Sequence, residues 1–278
     1  MKVVICLKQI PDPAITEFDL KNEKMKSELW ILNPADFQAL EEGLRLKNKY
    51  GAEVTVVSVA PERGDEILNK ALRYGADRAI RAWKTPLIEA DTWMISSILK
   101  QVIEEIGFDL VLCGNRSKST SSEFMGVALS ERLKVPVLTG VVGFEVHGEK
   151  EGLVHKKLER GKRETYSFQF PAVLTVDEGI NEPRYVALFS RAYNEGTRKK
   201  VESKELGLDD IDLSPAIELF RISQPKPRTK VGTKISGLSV GSLMKVLRGE
   251  TGSKKELFSG PATKGAQKIA AKLKEWYL

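Results

Sequence analysis

The stretch of this chain best composed for chemistry is Gly114-Asn115-Arg116-Ser117-Lys118-Ser119-Thr120-Ser121-Ser122. It sets small hydroxyl side chains and two cations just before an amphipathic run. Hydroxyls leading into a helix N-terminus, where unpaired N–H groups and the helix dipole favour negative charge, suit a phosphate. The same composition also suits an ordinary surface loop with a helix cap. No G-x-x-x-x-G-K-[ST] or G-x-G-x-x-G occurs elsewhere. Gly260-Pro261-Ala262-Thr263-Lys264-Gly265 resembles a phosphate loop only superficially, because no strand precedes it. The two histidines, His147 and His155, stand at no metal-ligand spacing. Cys6 and Cys113 show no C-x-x-C and read as buried, reduced thiols. No pair of carboxylates is arranged for acid–base work.

The elements that would position the loop alternate strand with helix. Val3–Leu7 is apolar throughout, as a strand covered on both faces must be. Asn33-Pro34 opens a helix, with Asn33 as N-cap and Pro34 at the first helical position. Val54–Val59 and Arg78–Ala82 are further strands, separated by a helix that ends at Gly75. Asp91 caps a long helix, Leu110–Cys113 is the fourth strand, and Ser122–Leu133 is a further helix. This order predicts a parallel sheet with helices on both faces. In the usual strand order 3-2-1-4-5, strand order reverses between strands one and four, so a ligand belongs at the ends of Cys6 and Gly114. Beyond residue 140 the pattern changes to a hairpin, 141–146 with 153–158, then an alternating strand over 165–170 and a buried one over 172–176. Arg198–Lys204 reads as a solvated basic segment. Pro225-Lys226-Pro227-Arg228 marks a linker, and 262–276 an amphipathic helix that either grips a partner or packs back on its own domain.

Bulk properties narrow the class. The 278 residues carry a net charge of +6, modest for a nucleic-acid binder and without interleaved aromatics. No apolar stretch approaches the ~20 residues of a membrane span. The apolar run after Met1 is too short for a signal-peptide core. A reduced, cytoplasmic protein is expected.

Residues 171–188 then carry a resemblance. Pro171-Ala172-Val173, followed by Ile180-Asn181-Glu182-Pro183-Arg184-Tyr185, Leu188 and the basic Arg198-Lys199-Lys200, is similar to the signature of electron-transfer flavoprotein β subunits. Upstream, Cys6-Leu7-Lys8-Gln9-Ile10-Pro11-Asp12, Asn33-Pro34, Glu41-Glu42-Gly43-Leu44, Ala71–Arg78 and Asp109–Gly114 follow in family order. The resemblance spans roughly residues 1–210. It implies an α/β/α sandwich of the adenine-nucleotide hydrolase type over residues 1–220, with an arm over 221–278 that grips an α subunit. It implies FAD mainly on that α subunit and AMP in this one, or a second FAD here in electron-bifurcating members. The implied nucleotide pocket is Cys6, Asn33, Pro34, Ala35, Asp36, Val59, Gly114, Asn115, Arg116, Ser117, Ser119, Thr120, Ser121, Ser122 and Met125. Tyr185, Leu188 and Phe189 would form the loop that docks on a flavin dehydrogenase, such as an acyl-CoA dehydrogenase. The loop departs from the family pattern: Ser119 and Ser121 stand at acidic positions, and Glu123 at a neutral one. A free-standing adenine-nucleotide protein is the competing class.

Overall fold

The computed structural model describes residues 1–19, 24–27, 29–83, 90–148, 150–185 and 200–204, together with 266, 267 and 270. Leu188, Phe189 and the 225–228 linker lie outside the described residues, as does the 262–276 helix apart from its three helical positions. The chain divides into two compact units, Met1–Gln224 and Pro225–Leu278.

The first unit is built on strands β1 (Lys2–Cys6), β2 (Gln9–Pro11), β3 (Glu17–Asp19), β4 (Lys24–Lys26), β5 (Trp30–Leu32), β6 (Glu53–Val59), β7 (Arg78–Ala82) and β8 (Leu110–Gly114). Among the described residues four α-helices accompany them: α1 (Pro34–Tyr50), α2 (Asp65–Tyr74), α3 (Thr92–Ile106) and α4 (Met125–Leu133). The later strands are β9 (Val137–His147), β10 (Glu151–Lys157), β11 (Arg163–Gln169), β12 (Ala172–Val176) and β13 (Glu202–Lys204). The main sheet has nine strands in the order β11-β10-β9-β12-β8-β1-β6-β7-β13. Its centre, β7-β6-β1-β8-β12, is parallel, so the expected 3-2-1-4-5 order holds. The hairpin and the 165–170 strand extend this sheet as an antiparallel β9-β10-β11 flap. Two short pairs, β2 with β5 and β3 with β4, stand outside it.

Strand residues sort by parity between the two faces, because side chains alternate across a strand. Val3, Ile5, Val54, Val56, Leu110 and Leu112 pack with α1 and α2. Val4, Cys6, Val57, Val111 and Cys113 pack with α3 and α4. Strands β1 and β8 are therefore apolar on both sides, which is why these two segments read as continuous hydrophobic runs.

Three local expectations change. Asn33 occupies the N-cap position of α1, but its side chain makes no cap bond. Helix α4 begins at Met125, not Ser122, and Ser121 and Glu123 take left-handed φ values of 53° and 51°. Left-handed backbone cannot continue a helix, so the hydroxyl run stays a loop. The described part of the 198–204 segment, residues 200–204, is not simply solvated: β13 adds to the sheet edge beside β7, and Arg78 grips Glu202 through Nε and Nη2 at 3.0 and 2.8 Å.

Helix α4 lies unusually close to β12. A Cβ on Gly126 would stand 2.1 Å from Thr175 Cγ2. Gly126→Ala should therefore push the helix off the sheet and cost about 1–3 kcal/mol, the usual range for overpacking. Thermal unfolding would show it, and an unchanged Tm would mean that the contact yields freely.

Candidate functional site

The two central strands that diverge at the switch point, β1 and β8, are held together at their carboxyl ends by one side chain. Asp36, in the first turn of α1, accepts the backbone N–H of Lys8 at 2.8 Å and of Gly114 at 2.9 Å. Asp36 is buried, and burial pushes its carboxyl up to about 6 despite those two bonds, which favour the charged form. Gly114 is glycine for a steric reason. A Cβ there would meet Asp36 Oδ1 at 2.4 Å and Ala35 Cβ at 2.7 Å. Ala35 thus backs the site and does not line it.

Above this staple opens a cavity of about 300 Å³. Of the residues singled out in the sequence, Cys6, Asn33, Asp36, Val59, Gly114, Asn115, Ser117, Thr120, Ser122 and Met125 line it. Pro34, Ala35, Arg116, Ser119 and Ser121 are not on its wall. The reading also missed much of the wall. Trp83 follows β7, and Thr92, Ile95 and Leu99 project from α3. Lys8 and Gln9 follow β1, and Ala60, Pro61 and Arg63 follow β6. All are at the carboxyl ends of strands or on the helix that faces them. The signal that could have found them was the switch-point rule applied to the loops after strands two and three as well as four.

The loop's own bonding differs from its composition. Asn33, freed from capping, donates from Nδ2 to Arg116 O at 3.1 Å and accepts Lys118 N–H on Oδ1 at 3.2 Å. It ties the loop to the start of α1. Ser119 N–H and Ser121 N–H are used within the loop, on Ser117 Oγ and Ser117 O. Arg116 is ion-paired to Glu123 through Nε and Nη2, and Lys118 reaches Glu178 at 2.7 Å. Both loop cations are therefore neutralised by carboxylates of this chain. The expectation that they add free positive charge to the site is corrected accordingly.

Cys6 and Cys113 end adjacent strands on the cavity floor and are both free thiols. Burial pushes Cys6 up to about 12 and raises Cys113 strongly, so both are protonated and unreactive. His147 faces Glu145, and His155 faces Thr165, both on the flap. Among the described residues no cluster of His, Cys, Asp and Glu could hold a metal ion, and no helix is long and apolar enough to cross a membrane.

A second constellation lies on α1. Glu41 is buried and accepts Arg184 three times: backbone N–H at 3.1 Å, Nε at 2.8 Å and Nη2 at 3.0 Å. Asn181 Nδ2 donates to Gln38 O at 2.9 Å and to Glu42 Oε1 at 2.8 Å, and Gly179 N–H donates to Gln38 Oε1 at 2.7 Å. Burial raises Glu42, while the bond from Asn181 and the charge of Arg45 pull it back. Two segments 140 or so positions apart in the chain thus grip each other. Tyr185, the next residue, is 94% exposed.

The fold is thus a doubly wound α/β domain with a cavity at its switch point and a clamped segment that leads to an exposed aromatic. The comparisons resolve the class. Residues 25–208 match the family described as Electron transfer flavoprotein domain. The chain is 33% identical over 220 residues to the electron transfer flavoprotein subunit beta of Thermoanaerobacterium thermosaccharolyticum, covering 77% of this chain and 81% of the relative. It is 32% identical over 283 residues to the subunit beta of Clostridium acetobutylicum, covering 99% and 98%. It is also 32% identical over 262 residues to the caffeyl-CoA reductase-Etf complex subunit CarD of Acetobacterium woodii, covering 89% and 98%. The chain belongs to the electron transfer flavoprotein β-subunit family, and its role is in electron transfer.

Proposed function

We propose that the chain is the β subunit of a heterodimeric flavoprotein that relays electrons between a dehydrogenase and a further redox partner. An α subunit carries the FAD, and a flavin dehydrogenase such as an acyl-CoA dehydrogenase supplies the electrons. The segment containing Tyr185, Leu188 and Phe189 docks on that dehydrogenase. When bound, FAD supplies the one- and two-electron chemistry, and the residues of this chain supply binding and orientation.

The observation that carries the reading is the clamp on α1. It joins the Glu41-Glu42 and Asn181–Arg184 motifs into one unit and leaves Tyr185 in solvent. A segment fixed at its base by buried bonds, with an aromatic exposed at its start, suits partner recognition, where a rigid scaffold presents a loop.

The cavity takes an adenine nucleotide in this reading, and its residues fit AMP. Its volume is at the lower end for small-molecule sites and better matched to a mononucleotide than to a whole dinucleotide. Trp83, Ile95, Leu99 and Val59 offer an apolar wall to a base, and Ser117, Thr120 and Ser122 offer hydroxyls to a sugar. A second FAD, as in a bifurcating member, would require a larger space.

The test is co-purification with an α subunit, followed by counting cofactors. One FAD and one AMP per heterodimer are expected. A stable, colourless monomer with ATP-dependent activity would sink the reading.

A further inference from the structure

Two anchor points bracket residues 186–199. Upstream, Arg184 grips Glu41, and Asn181 grips Gln38 and Glu42, all on α1. Downstream, β13 lies parallel to β7, with Glu202, Ser203 and Lys204 in register with Ile80, Arg81 and Ala82. Two arginines of β7 hold that strand. Arg78 donates twice to Glu202, at 3.0 and 2.8 Å. Arg81, oriented by Asp65 at 2.6 Å, reaches Ser203 Oγ at 3.5 Å. Ile180 and Val201 pack against the same core cluster, the one that α1 and α2 cover. Both ends of the bracketed segment are therefore fixed to one face of one sheet. The downstream anchor is the slighter of the two. Strand β13 has three residues, and Glu202 and Ser203 are exposed, so little apolar burial holds it. Its side-chain bonds decide whether it stays on the edge. The hydrogen bond from Arg78 holds the Glu202 carboxyl below its ordinary range, so the pair is ionised at neutral pH.

Resting on the reading that the segment containing Leu188 and Phe189 docks on a flavin dehydrogenase, we propose that β13 is the second anchor of that segment, and that Arg78 and Glu202 are positioning residues for dehydrogenase recognition. A loop tied at one end samples more positions than a loop tied at both, and binding has to remove that freedom. Fixing the second end beforehand moves the ordering from the binding step to folding. The pair acts through the placement of the segment and not by touching the partner. Exposed ion pairs contribute little to global stability, so this one can be broken without unfolding the domain.

The experiment uses the heterodimer, varied against a fixed catalytic amount of a purified acyl-CoA dehydrogenase reduced by its acyl-CoA substrate. Glu202→Gln and Arg78→Met should each raise KM for the heterodimer about three- to fivefold with kcat unchanged, the upper end of what an exposed pair is worth. The charge swap, Arg78→Glu with Glu202→Arg, should bring KM back to within about twofold of wild type. Amide exchange at residues 202–204 should quicken in the single variants and slow again in the swap. Unchanged Tm and FAD content would report that folding and pairing with the α subunit are intact. Leu188→Ala in the same assay tests the docking reading itself. If Leu188→Ala raises KM and the Arg78 and Glu202 variants do not, this proposal falls and the docking reading stands. If the single variants shed the α subunit or its FAD instead, β13 serves assembly and the proposal falls. If Leu188→Ala leaves KM unchanged, or the dehydrogenase does not reduce the wild type, the docking reading falls and the proposal with it.

Discussion

Replacing Arg184 with Met should destabilise the protein by about 2–3 kcal/mol and release the segment 177–185, which in the proposed function leads into the docking loop. Glu41 would lose the two hydrogen bonds from the guanidinium while staying buried, and would keep the one from the backbone N–H of residue 184. Removing one partner of a buried ion pair typically costs ~3–5 kcal/mol, because the remaining charge is uncompensated. The lower figure applies here for two reasons. The Arg184 side chain is 32% exposed, and Arg45 still reaches Glu41 Oε1 at 3.4 Å. Hydrogen exchange should show the loss first in residues 177–185, with β1, β6 and β8 protected as before. If the proposed docking role holds, electron transfer from a partner dehydrogenase should slow at limiting partner concentration and recover at saturation, since docking and not cofactor binding would be weakened. Arg184→Lys restores the charge but not the planar fork, so it should recover only part of the effect. Full exchange protection in Arg184→Met would show that Asn181 alone holds the segment.

The second large effect is a pH dependence set by Asp36. Its folded pKa of about 6 stands above its ordinary value of 3.8, with desolvation as the leading cause. Between these values the folded chain keeps a proton that the unfolded chain has lost. The stability contribution is therefore complete below about pH 4, declines as pH rises through 6, and is flat above. A displacement of this size corresponds to about 3 kcal/mol. Asn at this position does not titrate. The difference in unfolding free energy between wild type and Asp36→Asn should therefore shift by about 3 kcal/mol against wild type from pH 4 to pH 7. Urea denaturation across that range measures it. Parallel curves for the two proteins would mean that Asp36 titrates normally and that the staple between Lys8 N–H and Gly114 N–H is solvated. The carboxylate is retained at neutral pH because it accepts two backbone N–H groups that would otherwise be buried without partners.

Much of the fold was legible because local pattern and global position agree. Arg78–Ala82 and Ala172–Val176 occur as strands at the residues expected: the second is a buried, almost wholly apolar run, and the first sets Ala79, Ile80 and Ala82 in the core between two arginines that stay at the surface. Asp91 caps α3 as expected, accepting Met94 N–H at 2.8 Å. The candidate site was legible in outline only. Asn33 has the residue type of a cap, and a cap was the natural reading, but its amide offers two groups and the loop 83 positions onward needed both. No local rule reports such a competition.

The hydroxyl loop between β8 and α4 therefore has two descriptions. Its sequence alone determined that it follows the fourth strand, that it is polar, and that a cavity is expected beside it, because hydrophobic periodicity sets the alternation of strand and helix and the usual strand order for that alternation sets the switch point. Family membership was likewise carried by ordered short motifs in the chain. Only the tertiary structure decided where the charge in that site is free. Arg116 and Lys118 are cations in any reading of the sequence, but Glu123 and Glu178 neutralise them once the chain is folded. The physical reason is that electrostatics depends on distance through space. A residue's charge is written in its type, and its availability is settled by whichever opposite charge the fold brings within reach.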